Sequence, residues 1–383
     1  MASTKKKKFK DQNFFDYTLL FVVIFLIVFG LVMIYSTSSY EAASDFNDST
    51  LYLRRQLFAT ILGVFVMAAT TLIDYHLWER FSLIGAVVAF VLVLLVLTPL
   101  GIEVNGARRW VGIGPLSMQP AEVVKIEVIL FCAVLITKMN KKRISSIKGM
   151  FTILMLPAIF AVMLWQITNN LSSAIIVGGI AVVMLFVADS DYLKYILALL
   201  AVIAVAALVV YVATHWESGS FRLKRVKVWL DPESDPSDTG FQTLQALYAI
   251  GSGGIFGKGL GNSMQKLGFL PEAQNDMIFS IICEELGLFG ALAVILLFLL
   301  LIWRCMVIAN NSPDLFGAML VVGVMAHFAI QVILNIAVVT NTMPNTGISL
   351  PFISYGGTSE MFLMAEIGLV LNVSRQIRLR DAM

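Results

Sequence analysis

Stretches of about 20 consecutive apolar residues recur along almost the entire chain, and they leave few folds open. A helix rises 1.5 Å per residue, so about 20 residues cross a hydrocarbon core roughly 30 Å thick. Strands of a membrane barrel would be half as long and would alternate in polarity. Apolar residues fill 58% of the 383 positions and charged residues only 14%, whereas soluble chains are roughly half apolar and a quarter charged. The sequence therefore predicts an all-α polytopic membrane protein, with one helical bundle using the length that would otherwise make several soluble domains.

Ten transmembrane helices can be drawn, near residues 17–36, 56–73, 81–98, 120–137, 149–167, 171–188, 192–214, 277–302, 315–340 and 355–373. The lysine-rich start "KKKKFK" precedes the first run without a small-residue cleavage site, which reads as a retained anchor and not a removed signal peptide. With this basic end inside, the segment "KMNKKRISSIK" and the ending "RQIRLR" fall on the same side, as the positive-inside tendency asks. Both termini are then cytoplasmic. Residues 1–16 form a basic tail, 17–373 a single transmembrane domain and 374–383 a second tail, with outer loops near 99–119 and 215–276. The second of these, between helices 7 and 8, is too long to be a passive connection. Within it, "FRLKRVKVWLDP" reads as an amphipathic segment in the interface, with Phe221, Val226 and Trp229 toward lipid.

Four basic clusters on the outer side break the charge rule: Arg54 with Arg55, Arg108 with Arg109, the run holding Arg222, Lys224, Arg225 and Lys227, and Lys258 with Lys266. Cations kept on that face point to an anionic ligand, and an arginine fork matches phosphate. Contact with lipid headgroups explains Arg54 and Arg55 equally well. The glycine stretch "GSGGIFGKGLGNS" is not a P-loop, because Ser252 stands five residues before Gly257 and Gly259 follows Lys258. It is either a tight loop beside an anion or a plain turn. The isolated His76, His215 and His327 lack the spacing of a metal site, and His327, Gln331 and Asn335 suit interhelical hydrogen bonds. Cys132, Cys283 and Cys305 read as packed thiols. No cofactor is evident, no ligand cluster marks a divalent cation, and no feature calls for a nucleic acid.

Acids in apolar runs matter more, since a carboxylate in hydrocarbon costs at least about 2.5 to 3.5 kcal/mol and is paired or functional by default. In "LPEAQNDMIFSIICEELG", residues 270–287, Asp276 stands at the helix mouth with Glu272 one turn earlier, while Glu284 and Glu285 lie deeper. Glu284 would sit about 80° around the helix from Asp276 and about 12 Å further along, so the two cannot flank one bond. Glu285 points to the opposite side and has no partner visible in sequence. Glu122 and Lys125 are expected to pair with each other. Asp276 is thus the acid placed to meet a polar substrate. With outer cations beside it, the constellation fits a molecule bearing phosphate, sugars and a lipid tail, for which Asp276 supplies a base and Arg or Lys the neutralising charge.

The blocks "NGARRWVGIGPLSMQPAEVVK", "TGFQTLQALYAIGSGGIFGKGLGNSMQKLGFLPEAQNDMIFSIICEELG" and "PNTGISLPFISYGGTSEMFLMAEIGLVLNVSR" resemble the signatures of the SEDS family (shape, elongation, division and sporulation). The resemblance spans nearly the whole chain and implies a ten-helix peptidoglycan glycosyltransferase in the bacterial plasma membrane. Such an enzyme polymerises lipid II into nascent glycan on the outer face, usually with a class B penicillin-binding transpeptidase. It maps the proposed catalytic acid onto Asp276 and places Arg108, Arg109 and Trp110 in the loop bordering the groove. Lys258, Lys266, Glu272, Arg222 and Lys224 complete the expected substrate-binding set. Asn275 and Met277 flank the acid where the family more often has Thr and Phe, and the neutral Asn169 and Asn170 stand where many members carry an acid. Two other functions would use the same cations: a flippase for lipid-linked precursors, which moves substrate without chemistry, and an anchor that only recruits a transpeptidase.

Overall fold

The computed structural model describes residues 14–104, 106–113, 116–189, 191–215, 221–234 and 239–378. Among the described residues thirteen α-helices follow in chain order: α1 (Tyr17–Phe46), α2 (Leu51–Leu72), α3 (His76–Leu95), α4 (Pro120–Lys138), α5 (Lys141–Ile144), α6 (Ile147–Gln166), α7 (Leu171–Ala188), α8 (Leu193–His215), α9 (Phe221–Leu230), α10 (Thr239–Gly253), α11 (Ile278–Asn310), α12 (Leu315–Val339) and α13 (Gly357–Gln376). Among the described residues, α1, α2, α3, α6, α7, α11 and α12 are the seven helices long and apolar enough to cross a membrane. The remaining long helices, α4, α8 and α13, coincide with the other expected spans; α4 and α13 carry the charges that dilute their apolar character.

Several helix starts are set by side chains that take up otherwise orphaned N–H groups. Asp16 accepts from Leu19 N at 2.9 Å, Asn170 from Ser173 N at 3.0 Å and Asp314 from Gly317 N at 2.8 Å. Pro120 opens α4, where its missing N–H is no loss. In the centre α4, α7 and α12 pack on one another, with α13 against α2, α1 against α11, and α6 and α3 outside. Gly63 and Gly368 give α2 and α13 their close approach. All three cysteines are buried and free.

Two expectations need correction. The all-α reading misses a three-stranded antiparallel sheet, β1 (Gly101–Val104), β2 (Ala107–Ile113) and β3 (Leu116–Met118), which occupies the 99–119 loop. A compact loop must still pair its backbone groups, and a local meander does so without partners from elsewhere. The lipid-facing role read for Trp229 also fails, because its indole N–H donates to the Asn341 carbonyl at 3.0 Å and Asn341 Nδ2 returns a bond to the Trp229 carbonyl at 3.2 Å. An amphipathic face on α9 therefore docks on the end of α12, since a partner for the indole N–H outweighs exposing the ring to lipid.

The deeper acids of α11 are explained by a break in that helix. Gly287 has φ 67° and ψ −164°, so the carbonyls of Glu284 and Glu285 lose their helical partners. Lys258 N–H and Gly259 N–H donate to them instead, both at 2.9 Å, while Leu288 N–H and Phe289 N–H turn to the carbonyls of Gly254 and Ile255 at 3.0 and 3.3 Å. The glycine-rich segment thus replaces one turn of helical hydrogen bonds, as a break within a membrane protein must arrange. A Cβ on Gly287 would meet the backbone of Gly257 and Ile255 as well as a left-handed φ. Gly287→Ala is expected to destabilise the protein by about 1 to 3 kcal/mol, read as a lower thermal unfolding midpoint in detergent; an unchanged midpoint would show that the break is not strained by a side chain.

Candidate functional site

The sheet end of the bundle holds a cavity of about 1020 Å³ between α2, the sheet, the start of α4 and the segment that leads into α13. Arg54, Arg55, Trp110, Gln119, Glu122, Asn275, Ser349 and Tyr355 are among its lining residues. Each arrives there for a local reason. Strand β2 alternates its side chains, sending Trp110 to the groove; Pro120 starts α4 so that Glu122 faces it one turn in. A small recess of about 80 Å³ continues past Gln119, Glu122 and Ser349 to Arg109, Lys125, Gln331 and Gly347.

Asp276 lies behind this recess. A Cβ built on Gly347 would be 3.7 Å from its Oδ2, so the bare glycine backbone is what separates the carboxyl from the recess. Gly347 has φ 67°, a conformation that itself favours glycine. Oδ1 of Asp276 is shielded from solvent and has no hydrogen-bond partner, while its main-chain carbonyl accepts from Asn335 Nδ2 at 2.8 Å. Asp276 lies just before the α11 span. Burial, reinforced by the nearby Glu272 carboxylate, pushes its pKa up to about 7 despite the main-chain N–H groups that pull it down. Such a carboxyl is poised to exchange a proton near neutrality.

The expected site residues fall into three groups. Trp110 lines the groove and Arg109 its recess, with Asp276 behind the recess; Arg109 Nη2 donates to the Asn169 carbonyl at 3.1 Å, fixing the guanidinium at the recess wall. Glu272, half-buried with φ 55°, pairs with the Asn275 amide and stands beside the acid. Arg108 stays exposed at the rim, its Nε 3.6 Å from Glu103. Lys258 and Lys266 go elsewhere: Lys258 Nζ is 2.6 Å from Glu284 Oε1 and Lys266 Nζ is 2.7 Å from Glu285 Oε1. Those lysines neutralise the two deep acids, which also receive hydrogen bonds from Ser263 and Ser36. Arg222 and Lys224 are on α9, and their side chains lie outside the described residues.

Glu122, Lys125 and Arg55 line the site although the expected set omits them. Lys125 Nζ is 2.9 Å from Glu122 Oε2 with both side chains nearly inaccessible, so the expected pair forms, but inside the site. The signal for Arg55 was its place on the outer side, which sequence alone could not separate from a headgroup contact. A second cavity of about 530 Å³, nearly all apolar, runs between α2, α3, α4 and α13 and shares Met361 with the groove.

Comparison with known proteins places this geometry among relatives. The family model FTSW_RODA_SPOVE, described as cell cycle protein, matches residues 17–379. Stage V sporulation protein E of Bacillus subtilis is 39% identical over 364 residues, covering 95% of this chain and 98% of that one. A probable peptidoglycan glycosyltransferase FtsW of Trichlorobacter lovleyi is 38% identical over 380 residues, covering 99% and 98%. In structure, a chain of a peptidoglycan synthase complex that coordinates polymerization and crosslinking is similar, with TM-score 0.77, 26% identity and 94% and 98% coverage. The rod shape determining protein RodA of Thermus thermophilus is similar with TM-score 0.68, 25% identity and 95% and 97% coverage.

Proposed function

The chain belongs to the FtsW, RodA and SpoVE family of cell cycle proteins, multi-pass proteins of bacterial membranes, and from that premise we propose that it is a peptidoglycan glycosyltransferase that polymerises lipid II with Asp276 as general base. Residues 17–373 then make one domain that crosses the plasma membrane ten times with both termini in the cytoplasm. The sheet and the long segment before α11 lie outside, between helices where a sugar polymer is made. A class B penicillin-binding transpeptidase is the proposed partner, in keeping with the similar chain from a synthase complex that couples polymerization to crosslinking.

The observation that carries this reading is the Asp276 carboxyl, its Oδ1 shielded and without a hydrogen bond, one glycine behind a cation-lined recess. The carboxylate takes the proton from the 4-hydroxyl of the acceptor sugar as that oxygen attacks the anomeric carbon of the donor. The bond to the pyrophosphate breaks with inversion, and Arg109, Lys125 and Arg55 offset the charge that develops on the leaving group. The apolar cavity that adjoins the groove across Met361 offers the lipid tail a place within the bilayer.

Purified protein supplied with labelled lipid II is expected to yield glycan polymer. Reconstituted protein that moves the precursor across vesicles and never extends it would instead make the chain a flippase. A pH profile tests the acid itself. The active form is the carboxylate, which predominates above the pKa, so kcat/KM is expected to rise with pH through about 7 and level off beyond it. Glu272→Gln removes a repelling charge, lowers the Asp276 pKa and should slide this limb to lower pH. A limb that stays in place in the variant would rule out Glu272 as a source of the shift.

A further inference from the structure

His327, Gln331 and Asn335 recur at four-residue spacing on α12, so they share one face, and all three are buried. Polar groups buried in a membrane bundle need partners, and theirs converge on one place. His327 Nδ1 lies 3.0 and 2.8 Å from the two carboxylate oxygens of Glu366 on α13, and its Nε2 lies 2.8 Å from Gln331 Oε1. Gln331 Nε2 donates to the Ser349 carbonyl at 3.0 Å. One turn on, Asn335 Nδ2 donates to the Ile348 carbonyl at 2.6 Å and to the Asp276 carbonyl at 2.8 Å. The anchored carbonyls therefore belong to the acid itself and to the two residues after Gly347, whose backbone lies against the acid's carboxyl.

The direction of these bonds is constrained. The Ser349 carbonyl only accepts, so the Gln331 amide turns its NH2 there and its oxygen to His327. His327 must then hold a proton on Nε2, leaving Nδ1 to face Glu366 with a single proton between them. Glu366 thus sets the imidazole, the imidazole sets the amide, and the amide sets the wall, as outer partners orient functional groups elsewhere.

We propose that Glu366, His327, Gln331 and Asn335 form a positioning ladder that holds the Asp276 carboxyl and the 347–349 wall in register for proton transfer. The ladder rests on the reading of Asp276 as the base, touches no reacting atom itself, and acts through placement. A displacement of about 1 Å at a reacting group costs on the order of 100-fold in rate.

The test is lipid II polymerisation by the full-length protein, with kcat and KM separated and unfolding midpoints recorded for each variant. Asn335→Ala and Gln331→Met are expected to lower kcat about 100-fold while KM stays within about twofold. Glu366→Leu should act likewise, because the imidazole loses the partner that holds its Nδ1 side and is free to turn away from Gln331. Glu366→Gln should restore most of the lost kcat, since its NH2 can donate to Nδ1 and keep the proton on Nε2. A merely structural ladder would lower the midpoint and the active fraction without this order of loss and rescue, and that outcome overturns the proposal. Wild-type kcat in folded Asn335→Ala and Gln331→Met, beside an inactive Asp276→Asn, removes the ladder and leaves the base standing. Wild-type kcat in Asp276→Asn removes both.

Discussion

Asp276→Asn is expected to lower the polymerisation rate by roughly 10²- to 10⁴-fold, the usual contribution of a positioned general base, while lipid II still binds. The substitution is nearly isosteric and leaves the local fold its support. Asn335 holds the Asp276 main-chain carbonyl and not the carboxyl, and Oδ1 has no hydrogen bond to lose. Replacing a buried carboxyl by an amide also leaves the Arg109 and Lys125 side of the recess intact, so capture of the pyrophosphate should persist. The measurement is single-turnover extension of lipid II beside equilibrium binding of the same precursor. Polymer formed at the wild-type rate would remove Asp276 from the chemistry, and lost binding with an unchanged rate would make it a substrate contact.

Glu285→Leu is expected to cost about 3 to 5 kcal/mol of stability, the range for removing one partner of a buried ion pair. Glu285 is fully buried and the Lys266 side chain is only 6% exposed, and Lys266 would keep Ser36 at 3.0 Å as its remaining side-chain partner. The penalty comes from the stranded ammonium, not from the attraction that is lost. The double variant Glu285→Leu with Lys266→Met should therefore recover most of the loss, since apolar replacement of a whole buried pair is often neutral. Thermal unfolding in detergent reads both. A single variant as stable as the double would show that Lys266 reaches water when its partner is removed.

Much of the bundle was legible because the bilayer leaves so little choice. A run of about 20 apolar residues has to satisfy its own backbone and does so as a helix, and helices stand at every expected span. The rule that acids in such runs are paired or functional also flagged Glu122, Glu127, Asp276, Glu284, Glu285, Glu360 and Glu366, and all have a structural account except Glu127, whose Oε1 is buried without a hydrogen-bond partner. Glu360, for instance, accepts from Gln56 Nε2 at 2.5 Å and from Thr60 Oγ1. Partners were harder. Lys266 looked like a cation awaiting an anion, and nothing local distinguishes an anionic ligand from Glu285 when both attract the same charge. Trp229 had an interfacial side and a polar N–H, and its direction depended on where the end of α12 would be.

The apolar periodicity of the chain, together with its placement of charge, is enough to dictate a helical membrane bundle and to single out Asp276 at the mouth of α11. These follow from the energy of moving each short segment into hydrocarbon, which depends on the segment alone. The break at Gly287, the hydrogen-bond exchange with Gly254 to Gly259, the lysines committed to Glu284 and Glu285, and the glycine wall beside Asp276 came from the assembled fold. They depend on which donor and acceptor meet across tens or hundreds of residues, and buried polar groups choose the partner that packing brings within about 3 Å.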